Sequence, residues 1–347
     1  MAMTEKHMLR RVQLTGGSTL IVSLPKEWVK SVHLKPGDYV VVMVQPDNSL
    51  KIIPAHKRKE AHESILYIDE NMPPSIAVRE FITRYLVGYD VIKVVFKGKT
   101  HEHRVALRNV MVKKMIGVEI VEETVDTVLF QCLAKPAELP IRTAINRMIK
   151  VSHYMLKDSI KCLRRREGTL LKEIIERDDT IDKFYLFIVR QLKSVAMGML
   201  LPSEVGLSDL RECLGFRLIA KSVERIGDHA SRIAEVLFEY ANPLSEDLAQ
   251  KIEKLGARVC DTYEKTSLAL SKYDKVLAHK VVDEVDKIRG MEENIVRELM
   301  QSEINVEEAL TARTILESLK RIADYCADIA EITVNLSVEG ALEKEGK

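Results

Sequence analysis

SVERIGDHASRIAE, residues 222–235, is the stretch that decides the fold, because the chain contains it twice. Residues 318–331 read SLKRIADYCADIAE, and a gapless alignment gives seven identities in fourteen positions at an offset of 96 residues. At about 100° per residue, the apolar side chains of the first stretch fall on one side of a helix and its acidic side chains on the other. The sequence therefore predicts an internal repeat of amphipathic helices, each with an acidic stripe.

The repeat extends over the carboxyl-terminal half of the chain, which has helical periodicity throughout. Breaks at Gly, Pro and Asn residues divide it into predicted helices over 139–165, 169–200, 207–240, 244–272, 275–302 and 305–337. The third and sixth carry the repeated stretch. The second and fifth also correspond, because DTIDK at 179–183 matches DEVDK at 283–287. We therefore predict two similar three-helix bundles, residues 139–242 and 243–340.

The acidic stripes of the first bundle place carboxylates four residues apart on two helices. Glu224 and Asp228 have this spacing on the third helix, and Asp178 and Asp182 have it on the second. Such pairs stand about 6 Å apart on one helix face. If the two faces meet, the carboxylates repel one another and favour a cation. The residues alone leave open a solvated polar face that is partly neutralised by Arg177, Arg225 and Arg232.

The second bundle departs from this pattern. Lys320 replaces the first acid of the third-helix motif, and Val282 stands where the first bundle has an aspartate. Asp286 is retained, and Asp324 and Asp328 again have the spacing of four. A second cation site is therefore predicted to be weaker than the first.

The helical half resembles the PhoU family, whose members are tandem three-helix bundles that help turn phosphate availability into control of uptake. The resemblance rests on ERIGDH at 224–229, which is similar to the family's E(D)-x-x-x-D signature, and it covers about 200 residues. It implies bound divalent or trivalent metal ions such as iron, zinc, manganese or magnesium, and a phosphate transporter or sensor kinase as partner. By position, the implied metal ligands are Asp178, Asp182, Glu224, Asp228, Asp286, Asp324 and Asp328.

The first 56 residues form a small basic module. Short strands are predicted over 9–14, 19–24, 39–44 and 50–54, with a two-turn helix after Pro25. Residues 1–60 carry ten Lys and Arg against five Asp and Glu, whereas the whole chain is nearly neutral at +1. So few residues cannot cover four apolar strands, and we expect a homodimer or a higher homo-oligomer.

This module resembles the AbrB/SpoVT family, in which two chains swap hairpins to build one DNA-binding barrel. The resemblance rests on RRVQ at 10–13, a Gly-Gly-Ser turn, SLPKEW at 23–28 and LKPGDYV at 34–40. It implies contacts with DNA phosphates, which give affinity without reading sequence, from Lys6, Arg10, Arg11 and Lys26. Solvated edge-strand charges that discourage aggregation are the alternative interpretation.

Between the two halves lies a predicted linker, residues 57–63, and then a mixed segment over 64–135. Its strands and helices alternate in the order βαβαββ, which is typical of a small two-layer α/β domain. His101 and His103 open its second helix without a third ligand at metal-binding spacing, so both are expected to be exposed polar residues.

The sequence gives no sign of an enzyme. There is no nucleophile with a histidine at suggestive spacing, no phosphate loop and no dinucleotide fingerprint. The five cysteines are widely spaced and never form C-x-x-C, which favours buried thiols in a reducing compartment. The absence of a long apolar run and of a charged leader predicts a soluble cytoplasmic protein without membrane insertion.

The leading hypothesis is a phosphate-responsive DNA-binding regulator with an AbrB-like dimeric head, an α/β middle and a PhoU-like sensor body. The alternative is a signalling adaptor that docks on a phosphate transporter or kinase and uses its head only to dimerise. The sequence does not specify an operator, the metal or whether phosphate itself binds.

Overall fold

The computed structural model describes residues 9–44, 48–55, 61–165, 167–240 and 242–338. The chain divides into two compact units, residues 1–61 and 62–347. The second unit contains both the α/β domain and the helical bundles, and each of these has its own apolar core.

The first unit, called the head below, consists of two antiparallel hairpins and a short helix. Its elements are β1 (Gln13–Thr15), β2 (Thr19–Ile21), α1 (Lys26–Ser31), β3 (Val40–Val44) and β4 (Leu50–Pro54). β1 pairs with β2 and β3 pairs with β4. The turn between β1 and β2 needs Gly16 and Gly17, which have φ of +60° and +84°. The strands of the first hairpin are shorter than predicted.

The apolar side chains of the head remain exposed in the single chain. Leu14, Leu20 and Val44 are 65%, 68% and 73% exposed, and Val32 is the apolar core residue of the described part of this unit. Exposed apolar side chains on short strands require a second surface to cover them. That the covering surface is another copy of the head stays a prediction.

The middle domain has the predicted βαβαββ order. Its elements are β5 (Glu63–Asp69), α2 (Pro74–Val87), β6 (Val91–Lys97), α3 (His101–Lys114), β7 (Val118–Glu123) and β8 (Thr127–Cys132). The strand order is β5-β6-β8-β7, with β5 parallel to β6 and the other pairs antiparallel. The helices share one apolar core with the sheet, in which the rings of Phe81 and Phe130 lie 4.5 Å apart.

The prediction that His103 is exposed was wrong. Its side chain is only 4% exposed, and its ring nitrogen Nε2 is hydrogen-bonded to the carbonyl of Met72. The start of α3 packs against the loop that leads into α2, so this histidine becomes a buried structural contact. His101, two residues earlier, is exposed as predicted.

The carboxyl-terminal part consists of long helices whose bounds lie within a few residues of those predicted. They are α4 (Ile141–Lys161), α5 (Gly168–Ala196), α6 (Leu210–Glu239), α7 (Glu246–Lys272), α8 (Lys275–Gln301) and α9 (Val306–Ser337). Helices α4 to α6 form the first bundle, and α7 to α9 form the second. Within the described part of the chain, no helix is both long enough and apolar enough to span a lipid bilayer.

The two bundles pack against each other through equivalent helices. α6 lies along α9, with Gly215 against Leu336, and α4 lies along α7, where the hydroxyls of Ser152 and Tyr263 are 2.7 Å apart. Both pairs run antiparallel: Gly215 near the start of α6 meets Leu336 near the end of α9, and Ile160, later in α4 than Ser152, meets Gly256, earlier in α7 than Tyr263. The two bundles are thus related by an approximate two-fold axis. The line along which α6 meets α9 is called the seam below.

The middle domain is held on the first bundle by Arg190 of α5. Its guanidinium donates hydrogen bonds to the carbonyls of Tyr85 and Tyr89, over 2.6 and 2.8 Å, and to the carboxylate of Asp90 over 2.9 Å. Arg190 is 8% exposed, so these bonds are shielded from water. This attachment fixes the end of α2 against α5.

Candidate functional site

The four predicted carboxylates of the first bundle lie where α5 faces α6. Asp178 and Asp182 come from α5, and Glu224 and Asp228 come from α6. Gly227 permits the approach, because a Cβ there would lie 2.5 Å from Ile181 Cδ1 and 3.4 Å from an oxygen of Asp178. These four acids are called the acid cluster below.

The carboxylates of the acid cluster disfavour one another's charge. Burial raises the pKa of Asp178 to about 7, and the charges of Asp182, Asp228 and Glu224 add to the rise. Asp228 is exposed at the surface, yet partial desolvation beside the packed helices, with the charges of Glu224 and Asp182, raises its pKa to about 6. The four acids are therefore close enough to act on one another, and positive charge beside them relieves their repulsion.

Two lysines supply that positive charge. Lys114, at the end of α3, places Nζ 2.7 Å from a carboxylate oxygen of Asp182. Lys221 places Nζ 2.6 and 2.5 Å from the two oxygens of Glu224. Lys113 adds a longer contact of 3.3 Å with Asp179. The middle domain thus contributes an ammonium group to a site that sequence analysis assigned to the bundle alone.

The chemistry of the acid cluster fits a cation. Oδ1 of Asp178 is buried and, among the described residues, has no hydrogen-bond partner. Carboxylate oxygens are the ligands that hard cations prefer. In the described ranges, however, no three His, Cys, Asp or Glu side chains are arranged around one point as metal ligands. The cations beside the cluster are the ammonium groups of Lys114 and Lys221.

In the second bundle an arginine pairs with the acids at the equivalent position. Arg289 of α8, which stands in the repeat position of Tyr185, donates to Asp324 over 2.9 Å and to Asp286 over 2.8 Å. Asp328 lies at the surface, where partial desolvation beside the packed helices, with the charges of Glu331 and Asp324, raises its pKa. The predicted acids are present, but their charge is met within the bundle.

Lys320 pairs with an acid outside this site. Its Nζ lies 3.5 Å from Glu292, whose side chain is 3% exposed and which also pairs with Arg313 over 2.7 Å. The first bundle has Ile188 at the position of Glu292. The second bundle therefore carries a buried ion pair that the repeat does not predict.

The head brings two of its predicted DNA-contacting residues together. Arg10 and Lys26 line a pocket of about 280 Å³ that also includes Ser23, Leu24 and Glu27. Arg11 is exposed beside Arg10. Lys6, the remaining predicted contact, lies outside the described residues.

Two family models match the chain. The PhoU domain model matches residues 145–237 and 252–333, which together make up just over half of the chain. The model described as Antidote-toxin recognition MazE, bacterial antitoxin, matches residues 13–60. The matches fall on the bundles and on the head, where the sequence resemblances were found.

Characterised proteins and a solved structure resemble the helical part. The phosphate-specific transport system accessory protein PhoU of Escherichia coli K12 is 26% identical over 195 residues, covering 55% of this chain and 79% of that protein. Its homolog from Aquifex aeolicus is 29% identical over 156 residues, covering 44% and 68%. The crystal structure of PhoU from Pseudomonas aeruginosa superposes with a TM-score of 0.51 at 23% identity, covering 56% of this chain and 94% of that chain. This last likeness is one of fold.

Proposed function

The chain belongs to the PhoU family, and from that premise we propose that it is a phosphate-responsive transcription regulator. In this proposal the helical body senses phosphate status and the head binds DNA. The observation that carries the proposal is the union, in one chain, of two PhoU segments and a segment that matches the MazE antitoxin model. The curated relatives are named as accessory proteins of a phosphate-specific transport system, which supports a role in phosphate uptake.

Two features of the head support DNA binding. Arg10 and Lys26 meet at one pocket and Arg11 is exposed nearby, so positive charge is concentrated on a small surface. Guanidinium and ammonium groups of this kind contact phosphates and release counterions. The exposed apolar strands support a dimer, and a dimer would present this surface twice.

A gel-shift titration at two salt concentrations tests the DNA-binding role. Full-length protein should bind duplex DNA more weakly at the higher salt, because phosphate contacts dominate the affinity. Arg10→Ala combined with Arg11→Ala should weaken binding on all sequences alike and flatten the salt slope by about two units. No binding by the wild type at low salt would end the proposal that the chain is a DNA-binding regulator.

A control separates local charge from total charge. Lys30→Ala combined with Lys35→Ala removes the same charge from the head, and neither residue lines the pocket. This pair should retain the steep salt slope of the wild type. An equal loss in both double variants would show that binding depends on net charge rather than on the arginines.

The second candidate is an adaptor that docks on a phosphate transporter or sensor kinase, with the head used only for dimerisation. The printed names of the relatives favour it, because they place those proteins with a transport system. Neither candidate assigns a catalytic role to this chain, and both place it in the cytoplasm. A chain that fails to bind DNA but alters phosphate uptake on deletion of its gene would be the adaptor.

We also propose the acid cluster as the place where a metal ion binds. Asp178, Asp182, Glu224 and Asp228 would hold it, and it would supply positive charge against their mutual repulsion. A metal ion would have to displace the ammonium group of Lys114, because this group is hydrogen-bonded to Asp182. In the second bundle, Arg289 satisfies Asp286 and Asp324, so we propose no equivalent site there.

A further inference from the structure

Two arginines and two aromatic rings meet on the seam between the bundles. Arg225 and His229 come from α6, and Arg321 and Tyr325 come from α9. The arginines are equivalent to each other in the repeat, and so are His229 and Tyr325, at the same offset of 96 residues. The group, called the seam cluster below, therefore lies close to the approximate two-fold axis.

The geometry of the seam cluster brings two guanidinium groups together. Arg225 donates to the hydroxyl of Tyr325 over 3.2 Å, and Arg321 donates to the same oxygen over 2.8 Å. The two donor nitrogens are therefore no more than about 6 Å apart. Tyr325 is 6% exposed, whereas Arg225 is exposed and Arg321 is half-buried. The buried ring of Tyr325 thus lies beneath the two guanidinium groups, which face solvent.

The carboxylates near the seam cluster are engaged by other cations. Lys221 binds both oxygens of Glu224, and Arg289 binds Asp324 more closely than Arg321 does, at 2.9 against 3.4 Å. Asp228 and Glu317 are the remaining acids that act on this group. Arg225 makes no ion pair with any residue that the structure describes. A guanidinium has five N–H donors, so both arginines retain donors for a further acceptor.

We propose that the seam cluster binds inorganic phosphate between the guanidinium groups of Arg225 and Arg321. Planar guanidinium groups recognise tetrahedral oxyanions through paired N–H donors, and two of them on one small surface can hold a single ion from both sides. The ion would neutralise the repulsion between the arginines. Because one arginine comes from each bundle, the bound ion would also join the two bundles across the seam.

The paired N–H donors of Arg225 and Arg321 would bind any tetrahedral oxyanion of this size, sulfate included. The choice of phosphate among oxyanions rests on the proposed function, whereas the arginine geometry does not.

Isothermal titration calorimetry of the full chain with inorganic phosphate tests the proposal. Arg225→Gln and Arg321→Gln should each weaken binding about tenfold or more, because each removes charge-assisted hydrogen bonds to the ion. Arg232→Gln is the matched control, since this exposed arginine lies two turns further along α6 and pairs with Glu235 over 3.4 Å. It should bind phosphate as the wild type does.

The outcomes separate this site from the proposed function. Phosphate binding that survives both Arg225→Gln and Arg321→Gln, or no binding by the folded wild type, overturns the site. The regulator proposal fails on a different observation, the absence of DNA binding at low salt.

Discussion

The two bundles neutralise their clustered carboxylates in different ways. Each brings acids from its second and third helices together, but the first meets their charge with its own Lys221 and with Lys114 from the middle domain, and the second with its own Arg289. Where the second bundle has Val282, the first keeps Asp178, whose oxygen Oδ1 is buried without a partner among the described residues. The first bundle therefore depends on another domain, and the second is self-contained.

This difference teaches that a duplicated fold need not duplicate its site. A self-contained ion pair such as Arg289 with Asp324 stabilises one arrangement, because both partners belong to packed helices. An ammonium supplied by a separate domain can leave when that domain moves or when another cation competes. The first bundle is thus the half whose charge can respond to the surroundings.

The largest expected effect comes from the attachment of the middle domain, which the second bundle lacks. Arg190→Asn introduces the residue that the second bundle has at the equivalent position, Asn294. It should lower the free energy of unfolding by about 3 kcal/mol, because the carbonyls of Tyr85 and Tyr89 and the carboxylate of Asp90 lose their shielded donor. Denaturant unfolding measures the loss, and faster hydrogen exchange in α2 locates it.

Arg177→Asn is the matched control for this change. Arg177 lies on the same helix, but its side chain is 36% exposed and its partners are Asp158 and Glu173. Its replacement should cost about 1 kcal/mol or less, as exposed ion pairs do. Equal costs for the two variants would mean that the middle domain contributes no special stability to α5.

The next effect concerns packing between the second and third helices of each bundle. Gly227 faces Ile181 in the first bundle, and the equivalent pair in the second is Ala323 with Val285. Gly227→Ala should destabilise by about 1–2 kcal/mol, because overpacking against Ile181 outweighs the gain in helix propensity. Adding Ile181→Val, which recreates the pair of the second bundle, should recover at least half of that loss.

A double-mutant cycle by chemical denaturation measures the coupling between these two positions. The reverse exchange in the second bundle, Val285→Ile with Ala323→Gly, is the control and should show coupling of the same sign. If Gly227→Ala alone stabilises the chain, the contact with Ile181 is looser than described.

A smaller effect follows from the raised pKa of Asp178. The folded chain retains this proton up to about pH 7, whereas the unfolded chain loses it near pH 4. Between those values the folded state binds more protons, so stability falls as pH rises through this window. Asp178→Asn should remove that slope and stabilise the chain by roughly 1 kcal/mol at pH 8, allowing for solvent screening of this half-buried group.

Thermal unfolding from pH 5 to pH 8 checks this prediction. Asp286→Asn in the second bundle is the matched control, because its carboxylate is 68% exposed and should affect the pH profile little. If Asp178→Asn retains the slope of the wild type, another group is responsible for it.

The smallest effect on stability, and the sharpest test of the comparison, is at Lys114. Lys114→Gln should change the free energy of unfolding by only about 0.5 kcal/mol, since the pair with Asp182 is partly exposed. If the acid cluster binds metal, this variant should purify with more of it than the wild type, and Asp228→Ala with less. Lys113→Gln and Asp324→Ala should match the wild type in elemental analysis. Background metal in every protein would refute the metal site.

Much of the fold could be predicted from the sequence, because long amphipathic helices carry a strong periodic signal. The predicted bounds of α6, 207–240, differ from the observed Leu210–Glu239 by only a few residues. The βαβαββ order was also confirmed. The head was predicted less well, because strands as short as Gln13–Thr15 carry little periodicity and their burial depends on a second surface.

The candidate site could be predicted only in part. The spacing of four identified the carboxylates of one helix face, but it carried no information about Lys114, which is 68 residues from its partner Asp182. Arg289 was missed because the first copy of the repeat has Tyr185 at the equivalent position. Comparison of the two copies identifies residues that both share, not residues that differ between them. The seam cluster needed the antiparallel crossing of α6 and α9, which local sequence does not specify.

The exchange of Gly227 and Ile181 for Ala323 and Val285 also constrains how the two halves diverged after duplication. From the pair of the first bundle, mutation can proceed through Ile→Val or through Gly→Ala. The first intermediate lacks one buried methylene and costs about 0.5–1.5 kcal/mol, whereas the second is overpacked and costs about 1–2 kcal/mol. The replacement of Ile by Val on the second helix is therefore the permissive step. Starting from the pair of the first bundle, Ile→Val therefore makes Gly→Ala acceptable, and the volume of the two side chains sets the easier order of the two substitutions.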